Sequence, residues 1–484
     1  MCGKLVPLEN DEYPVNSLSF LGVIMKRREF LKGSVAATAG LFGMPTIISS
    51  AALAKTAPND KINIAQIGFG RIAQSHDLPE TIKHDMCRVV AVADLDLNRA
   101  NDGKKWIEGY YAKQKNKPGT VDVKVYQDYR EMLQDKSIDA VIISTPDHWH
   151  ARPAVEAALC GKDIYLQKPT SLTIAEGRLM SDMIHRTGRI FQLGSQQRSV
   201  DPWPQFKQVC EIVRNGGIGT LRHVKVGLGI DPAGGNEAQM PVPKNFNYEM
   251  WLGATPEAYY TEDRVHPQKG YDRPGWLRCE QFGAGMITGW GVHHLDIAHW
   301  GMDMEYSGPV EIEGTAVFPK SGLWNVHGDF DVHSTYANGV TMHTSSTFPN
   351  GIRFEGDDGW IFVSRGNAQV TSSDPVADDP NNKALKVSDP KILKTEIGPN
   401  GIHLYESPEQ HLNWLECIYS RRQPISPVEV AHRSCTVCLV SHIAMKLPRK
   451  LRWDPVKERF DDEEANSMLS RPEHAPYGVT SLKS

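Results

Sequence analysis

Between Lys61 and Leu193, short and almost wholly apolar runs alternate with longer stretches in which apolar side chains recur every three or four positions. Ile62–Ile67, Val89–Ala93, Val123–Tyr126, Ala140–Ser144, Ile164–Leu166 and Ile190–Leu193 have the pattern of strands buried on both faces. Asp128–Gln134, Ala151–Cys160 and Ile174–His185 carry the helical period. This alternation predicts an α/β unit, a doubly wound parallel sheet joined by right-handed helical crossovers. From about Asp201 the pattern changes. A helix over Gln205–Arg214 leads into Leu221–Gly229, Val310–Phe318, Phe330–Tyr336, Val340–Thr347, Ile352–Glu355 and Trp360–Val363, where apolar and polar positions alternate. Ala337-Asn338-Gly339 and Pro349-Asn350-Gly351 are hairpin turns by composition, so this half predicts an α+β unit with an open, mainly antiparallel sheet. Leu412–Tyr419 and Val430–Ala444 read as closing helices.

A chain of 484 residues, 40% of them hydrophobic, is long enough for two sizeable cores. Its formal charge of -5 is small, and the lack of a long Lys/Arg run argues against a nucleic-acid-binding surface. Eight cysteines are too few for a disulfide scaffold, and the lone Cys435/Cys438 pair reads as ordinary helix-face cysteines. The N-terminus changes the picture. Lys26-Arg27-Arg28-Glu29-Phe30-Leu31-Lys32 resembles the twin-arginine export motif. An apolar stretch, Gly33–Ile48, and a small-residue cleavage pattern, Ala52-Leu53-Ala54, follow in signal-peptide order. Glu9, Asp11 and Glu12 fit that order poorly, so Met25 is the expected start. The resemblance implies a periplasmic protein with the twin-arginine machinery as a partner. No stretch is long and apolar enough for stable membrane insertion.

The first strand runs into Gly68-Phe69-Gly70-Arg71-Ile72-Ala73, and Asp94 ends the second. A GxGxx[GA] sequence is weak alone. Between strand and helix, with an acid ending the next strand, it points to a dinucleotide. Gly68 allows the tight turn, Gly70 lets the backbone approach a pyrophosphate, and the helix N-terminus offers unpaired N–H groups. Asp94 suits both ribose hydroxyls and would repel a 2′-phosphate, which favours NAD over NADP. The fourth strand ends in Ser144-Thr145-Pro146-Asp147-His148-Trp149-His150, at the carboxyl edge where open sheets bind ligands.

The fifth strand ends in Gln167-Lys168-Pro169, and here the chain resembles the glucose–fructose oxidoreductase / inositol dehydrogenase (Gfo/Idh/MocA) family. That family has Glu-Lys-Pro at this place, a Thr-Pro-x-x-x-His turn met by Thr145, Pro146 and His150, and a Gly-x-His-x-x-Asp element met by Gly291, His293 and Asp296. The resemblance runs from about Lys61 to Trp453. It implies a Rossmann-type domain over 55–200 and a substrate domain over 201–454, between a signal-bearing extension, 1–54, and a tail, 455–484. It also implies a homo-oligomer formed through the second sheet. The expected cofactor set is Gly68, Gly70, Arg71, Ile72, Asp94, Thr145, Pro146, Asp147, His150, Gln167, Lys168 and Gln196. The expected substrate set is Arg198, Tyr271, Trp290, His293 and Asp296. Two positions depart from the family: Gln167 replaces its Glu, and Gly289 stands where many sugar dehydrogenases have Asp, four residues before the histidine.

Alcohol oxidation needs a base, and Lys168 serves if burial and the cationic nicotinamide lower its pKa. His293 is the second candidate, able to relay the proton. His293, Asp296 and His299 are not read as a metal site, because spacings of three and six drift around a helix. Trp251, Tyr259, Tyr260, Tyr271, Trp276, Trp290 and Trp300 suit the C–H faces of a sugar ring, and the long Asp231–Gly275 stretch reads as a loop covering the substrate. The implied activity is NAD-dependent hydride transfer at a ring hydroxyl or keto carbon of a sugar, glycoside or polyol. The alternative is a glycoside hydrolase or lyase that oxidises its sugar only transiently.

Overall fold

The computed structural model describes residues 61–113, 121–370, 374 and 384–482. The export signal and its apolar stretch lie outside the described residues. Among these, no helix is long and apolar enough to cross a membrane.

Six parallel strands form the first sheet: β1 (Ile62–Ile67), β2 (Cys87–Ala93), β3 (Lys124–Tyr126), β4 (Ala140–Ile143), β5 (Asp163–Leu166) and β6 (Phe191–Leu193), in the order β3-β2-β1-β4-β5-β6. Every residue of β4, β5 and β6 is buried. That is why these strands read as continuous apolar runs rather than alternating ones. The order reverses between β1 and β4, which opens a crevice over their carboxyl ends.

The second sheet has nine strands. After β7 (Leu221–Gly227) come β8 (Glu311–Ala316), β9 (Phe330–Thr335), β10 (Thr341–Ser345), β11 (Gly351–Gly356), β12 (Gly359–Val363), β13 (Leu385–Val387), β14 (Leu451–Asp454) and β15 (Arg459–Phe460). Their order is β13-β12-β11-β7-β10-β9-β8-β14-β15; the pairs are antiparallel except β7 with β10. One face alternates outward with polar groups such as His333, His343, Lys225 and Arg353, while Val224, Val226, Val332, Met342 and Phe354 are buried on the other.

The two halves are stitched together by returning chain. Trp414, Leu415 and Cys417, on the helix Gln410–Ser420, pack into the apolar cluster behind β1, β2 and β4. The tail beyond 454 packs back onto the first domain: Arg152 donates from Nη1 to the carbonyls of Pro476 and Gly478 at 2.7 and 2.8 Å, and Arg471 pairs with Glu176 at 2.9 Å.

The helix Gly291–Met302 is buried along its whole length, so each polar residue on it must find a partner inside the protein. Asp296 finds Arg198. The guanidinium donates from Nε and Nη2 to the two carboxylate oxygens at 2.6 and 2.8 Å, and from Nη1 to Glu305 at 2.6 Å. Ser434 also donates to Asp296, and Trp300 covers the guanidinium at 4.9 Å. Arg198 and Asp296 were expected to bind substrate; the structure instead spends both on this sealed ion pair. His299 turns to the Tyr336 hydroxyl at 2.8 Å, so His293, Asp296 and His299 face different neighbours. Truncating one partner leaves a buried charge. Arg198→Ala is expected to lower unfolding stability by about 3–5 kcal/mol in chemical denaturation, while the KM of the folded fraction stays close to wild type.

Candidate active site

The glycine-rich turn fits the close approach it was read for. Gly68 sits at φ +83°, and a Cβ there would lie 2.9 Å from the Ser144 carbonyl oxygen. A Cβ built on Gly70 meets nothing within 4 Å, which leaves space for a phosphate against the backbone. The turn runs through Arg71 and Ile72 into a π-helical turn, Ala73–Asp77. Asp94 accepts from the amides of Phe69 and Asp96 at 2.8 and 2.9 Å. Those two bonds fix the carboxylate beside the turn, and burial raises its pKa. Arg99 lies close enough to oppose that rise, yet its guanidinium is already bound to the carbonyls of Pro267 and Gly270 at 3.0 and 3.3 Å.

Those two carbonyls belong to the long segment expected over the substrate. Part of it runs along the ribose end of the cleft, while its Arg273 lies near Lys168. Asn245 donates to Asp96 at 2.6 Å, His266 meets the same carboxylate at 3.2 Å, and the amides of Leu97 and Asn247 complete a short backbone ladder with Asn245 and Leu95. Tyr271, also expected against the sugar, stacks edge-on upon Phe69 of the glycine turn at 5.8 Å and reaches Asp102. Of the expected aromatic platform, Trp251, Trp276 and Trp290 line the cleft, whereas Tyr260 and Trp300 are 2% exposed and belong to the core.

The cleft counts about 1610 Å³ of space, part of it open to solvent. Gly68, Gly70, Arg71, Ile72 and Asp94 line one end; Thr145, Pro146, Asp147 and His150 line its floor. Gln167, Lys168, Gln196, Trp290 and His293 converge at the other end. Arg198, Tyr271 and Asp296 are not among the lining residues. Lys168 donates from Nζ to the Gly289 carbonyl at 2.5 Å. Burial pushes its pKa well down, opposed by the carboxylates of Asp147 and Asp374. The Asp147 carboxyl is pushed up by its own burial, with Lys168 opposing. His293, from the second half, is held far below the usual histidine range by burial and by Arg365 and Lys168, and its Nδ1 has no hydrogen-bond partner. His150 sets its two ring nitrogens toward the carbonyls of Thr145 and Pro169, clamping the turn that carries Lys168. Gln167 donates to Asp77 at 2.7 Å.

Among the lining residues that went unread in the sequence, Arg273, Arg365 and Asp374 bring charge to the lysine end. Arg273 lies in the long loop singled out from the sequence and Arg365 and Asp374 follow β12; none belongs to a motif, and only their placement in space reveals them.

A glycine turn bound to a ribose-ready carboxylate, and a half-buried lysine just past the end of β5, define a nicotinamide-dinucleotide oxidoreductase site. The family's NAD-binding Rossmann fold description matches residues 62–195, and its C-terminal alpha/beta domain description matches 233–479. The chain belongs to the Gfo/Idh/MocA oxidoreductase family, and it binds NAD. A glycosyl hydrolase family 109 protein of Shewanella baltica is 30% identical over 215 residues, 41% of this chain and 44% of the relative. The NAD(+)-dependent scyllo-inositol 2-dehydrogenase of Bacillus subtilis is 29% identical over 144 residues, 28% of this chain and 36% of the relative. The chain thus spans under half the length of either relative. Among solved structures, the WlbA dehydrogenase of Bordetella pertussis with NADH and UDP-GlcNAcA shares the fold at TM-score 0.56 and 15% identity, covering 81% of this chain and 98% of that one.

With Asp94 fixed beside the glycine turn and Arg99 already committed, NAD is expected to bind at least about tenfold better than NADP, as a phosphate dianion beside a carboxylate costs over about 1 kcal/mol. Calorimetric titration with both dinucleotides checks this. A depressed lysine pKa fixes the sign of a pH effect. The neutral base gains population as pH rises, so alcohol oxidation is expected to climb through a limb that lies below the ordinary lysine range. Lys168→Met is expected to lower kcat about a hundredfold or more and to erase that limb, read from kcat/KM profiles.

Proposed function

We propose that the protein transfers hydride between NAD and a ring hydroxyl or keto carbon of a sugar, glycoside or polyol, with the cofactor held as a resident group. The observation that carries the reading is Lys168: half-buried, bound to the Gly289 carbonyl, and lining the same end of the cleft as His293. NAD, when bound, supplies the hydride acceptor. Lys168 Nζ takes the hydroxyl proton as the carbinol carbon gives up its hydride, and His293 orients or relays that proton. Asp147 supplies the carboxylate near Lys168 that position 289 lacks.

Retention of the cofactor rests on the export signal together with the Asn245–Tyr271 strap over the ribose end. A protein exported folded, into a compartment poor in NAD, must load before export and keep what it loaded. Retention over hours at an association rate of about 10⁶ M⁻¹ s⁻¹ needs a dissociation constant of about 0.1 nM or below. The periplasm is the proposed site of action, and the polar face of the nine-stranded sheet is the proposed surface for self-association.

A second reading is favoured by Gly289 and by the family 109 relatives: transient oxidation that eliminates a glycosidic bond and then returns the hydride. A Cβ built on Gly289 meets nothing within 4 Å, so the position leaves room above Lys168.

Mass spectrometry of sugars incubated with the mature protein separates the two readings. A keto-sugar is expected; free aglycone without net reduction of the cofactor would establish the second reading. Exhaustively desalted, then denatured protein is expected to release near-stoichiometric NAD. Empty protein that needs millimolar added NAD refutes retention.

A further inference from the structure

Arg365 is the charged group of the cleft whose surroundings leave it least satisfied. It lies two residues past β12, and the backbone on either side of it is fixed: Gln205 donates to the Ser364 carbonyl and the Gly366 amide to the Ser364 hydroxyl, each at 3.0 Å. The residue is 5% exposed. Trp203 and Trp290 lie against the guanidinium at 4.1 and 4.7 Å from their ring centroids. Contacts of this kind cover the faces of a guanidinium and leave its donors pointing outward in plane. In that plane Nη1 meets Asp374 at a loose 3.5 Å, while Nε and Nη2 are buried without a hydrogen-bond partner.

A buried, cationic donor with two unmade bonds is costly, and native proteins rarely carry one without a reason. The cost registers in its pKa, which burial lowers to about 10 against the pull of Asp374. Arg365 also sits in the catalytic half of the cleft. It lines the same wall as Trp290 and His293, and it lies near enough to depress both His293 and Lys168. The feature therefore belongs to the substrate rather than to the ribose end.

We propose that Arg365 receives a carboxylate on the substrate, so that the sugar this site prefers is an acidic one, a uronic acid or its glycoside. The inference rests on the sugar reading above. A carboxylate is planar and meets the guanidinium edge with two parallel bonds in one plane. A phosphate can make the same two-bond fork, so a sugar phosphate is the competitor against which the test sets the carboxylate. Arg365 is then a specificity-determining residue beside Lys168, and the substrate's charge completes a site that Asp374 only partly neutralises.

The test uses the mature, NAD-loaded protein with methyl β-D-glucuronide, methyl β-D-glucoside and glucose 6-phosphate. Keto-sugar formation is followed by mass spectrometry, and binding by quenching of tryptophan fluorescence. The glucuronide is expected to exceed the glucoside in kcat/KM by about tenfold to a hundredfold, the range for hydrogen bonds to a charged group, with the difference in KM. Arg365→Gln is expected to collapse that ratio toward one. Arg365→Lys, which keeps the charge but not the fork, is expected to recover only part of it. Circular dichroism establishes that both variants fold, and released NAD is measured alongside.

Equal use of glucoside and glucuronide, or preference for the phosphate, overturns the inference and leaves the sugar reading standing. Loss of resident NAD from folded Arg365→Gln, with the substrate ratio unchanged, also overturns it by assigning the arginine to the cofactor. If none of the sugars binds or turns over, both readings fall together.

Discussion

Taking a lysine ammonium out of water is the constraint on which the catalytic end of this molecule is built. Lys168 sits at the carboxyl end of a fully buried strand, and burial favours its neutral form. Left alone, that desolvation would make the turn unstable. The Gly289 carbonyl takes one of its donors, and Asp147 and Asp374 supply opposing charge. The compensation is partial, which is what a base needs. A fully paired lysine would hold its proton, and an unpaired one would not tolerate burial. His150 then fixes the geometry by tying the Lys168–Pro169 turn to the Thr145 turn.

The same logic reaches across the domain boundary. The parallel sheet brings its own ligand groups to the switch point between β1 and β4, but it closes neither end of the cleft. The second half closes both. Asn245, His266 and Tyr271 latch onto the loop after β2 and onto Phe69, while Gly289, Trp290, His293 and Arg365 wall the lysine end. On the proposed retention of the cofactor, those polar contacts and the Phe69–Tyr271 contact are what would slow its release.

The parallel sheet was legible because strands buried on both faces leave an unbroken apolar signature, and the β9–β10 hairpin because Asn338-Gly339 punctuates alternating strands. Asn350-Gly351, read as a second hairpin turn, instead carries the chain from β10 across β7 to β11, a connection whose turn residues look the same in sequence. Gly68, Asp94 and Lys168 were legible because each closes a recognisable strand. Asp296 misled for a specific reason. On a helix buried all round, a polar residue facing a ligand and one paired inside the core leave the same trace in sequence, and only the position of Arg198 separates them. Tyr271 misled because a long Gly/Pro-rich loop announces that it covers something without saying which end of the cleft it covers. Arg365 left no trace: its partners Trp203 and Trp290 are 162 and 75 positions away.

Gly289 joins these threads. In the expected pattern an acid at this position would face the lysine, and here the backbone carbonyl binds the lysine while the side-chain space stays open. Removing that carboxylate takes one negative charge from an end of the cleft that also holds Arg365 and His293. The loss leaves Asp147 and Asp374 to oppose the charges of Lys168 and Arg365 at this end. The anionic substrate proposed above would add to that opposition at the moment of binding, and in a site withdrawn from water such a charge is felt strongly. On that proposal the departure at Gly289 and the unsatisfied guanidinium of Arg365 have one cause, a negative charge carried by the ligand rather than by the chain.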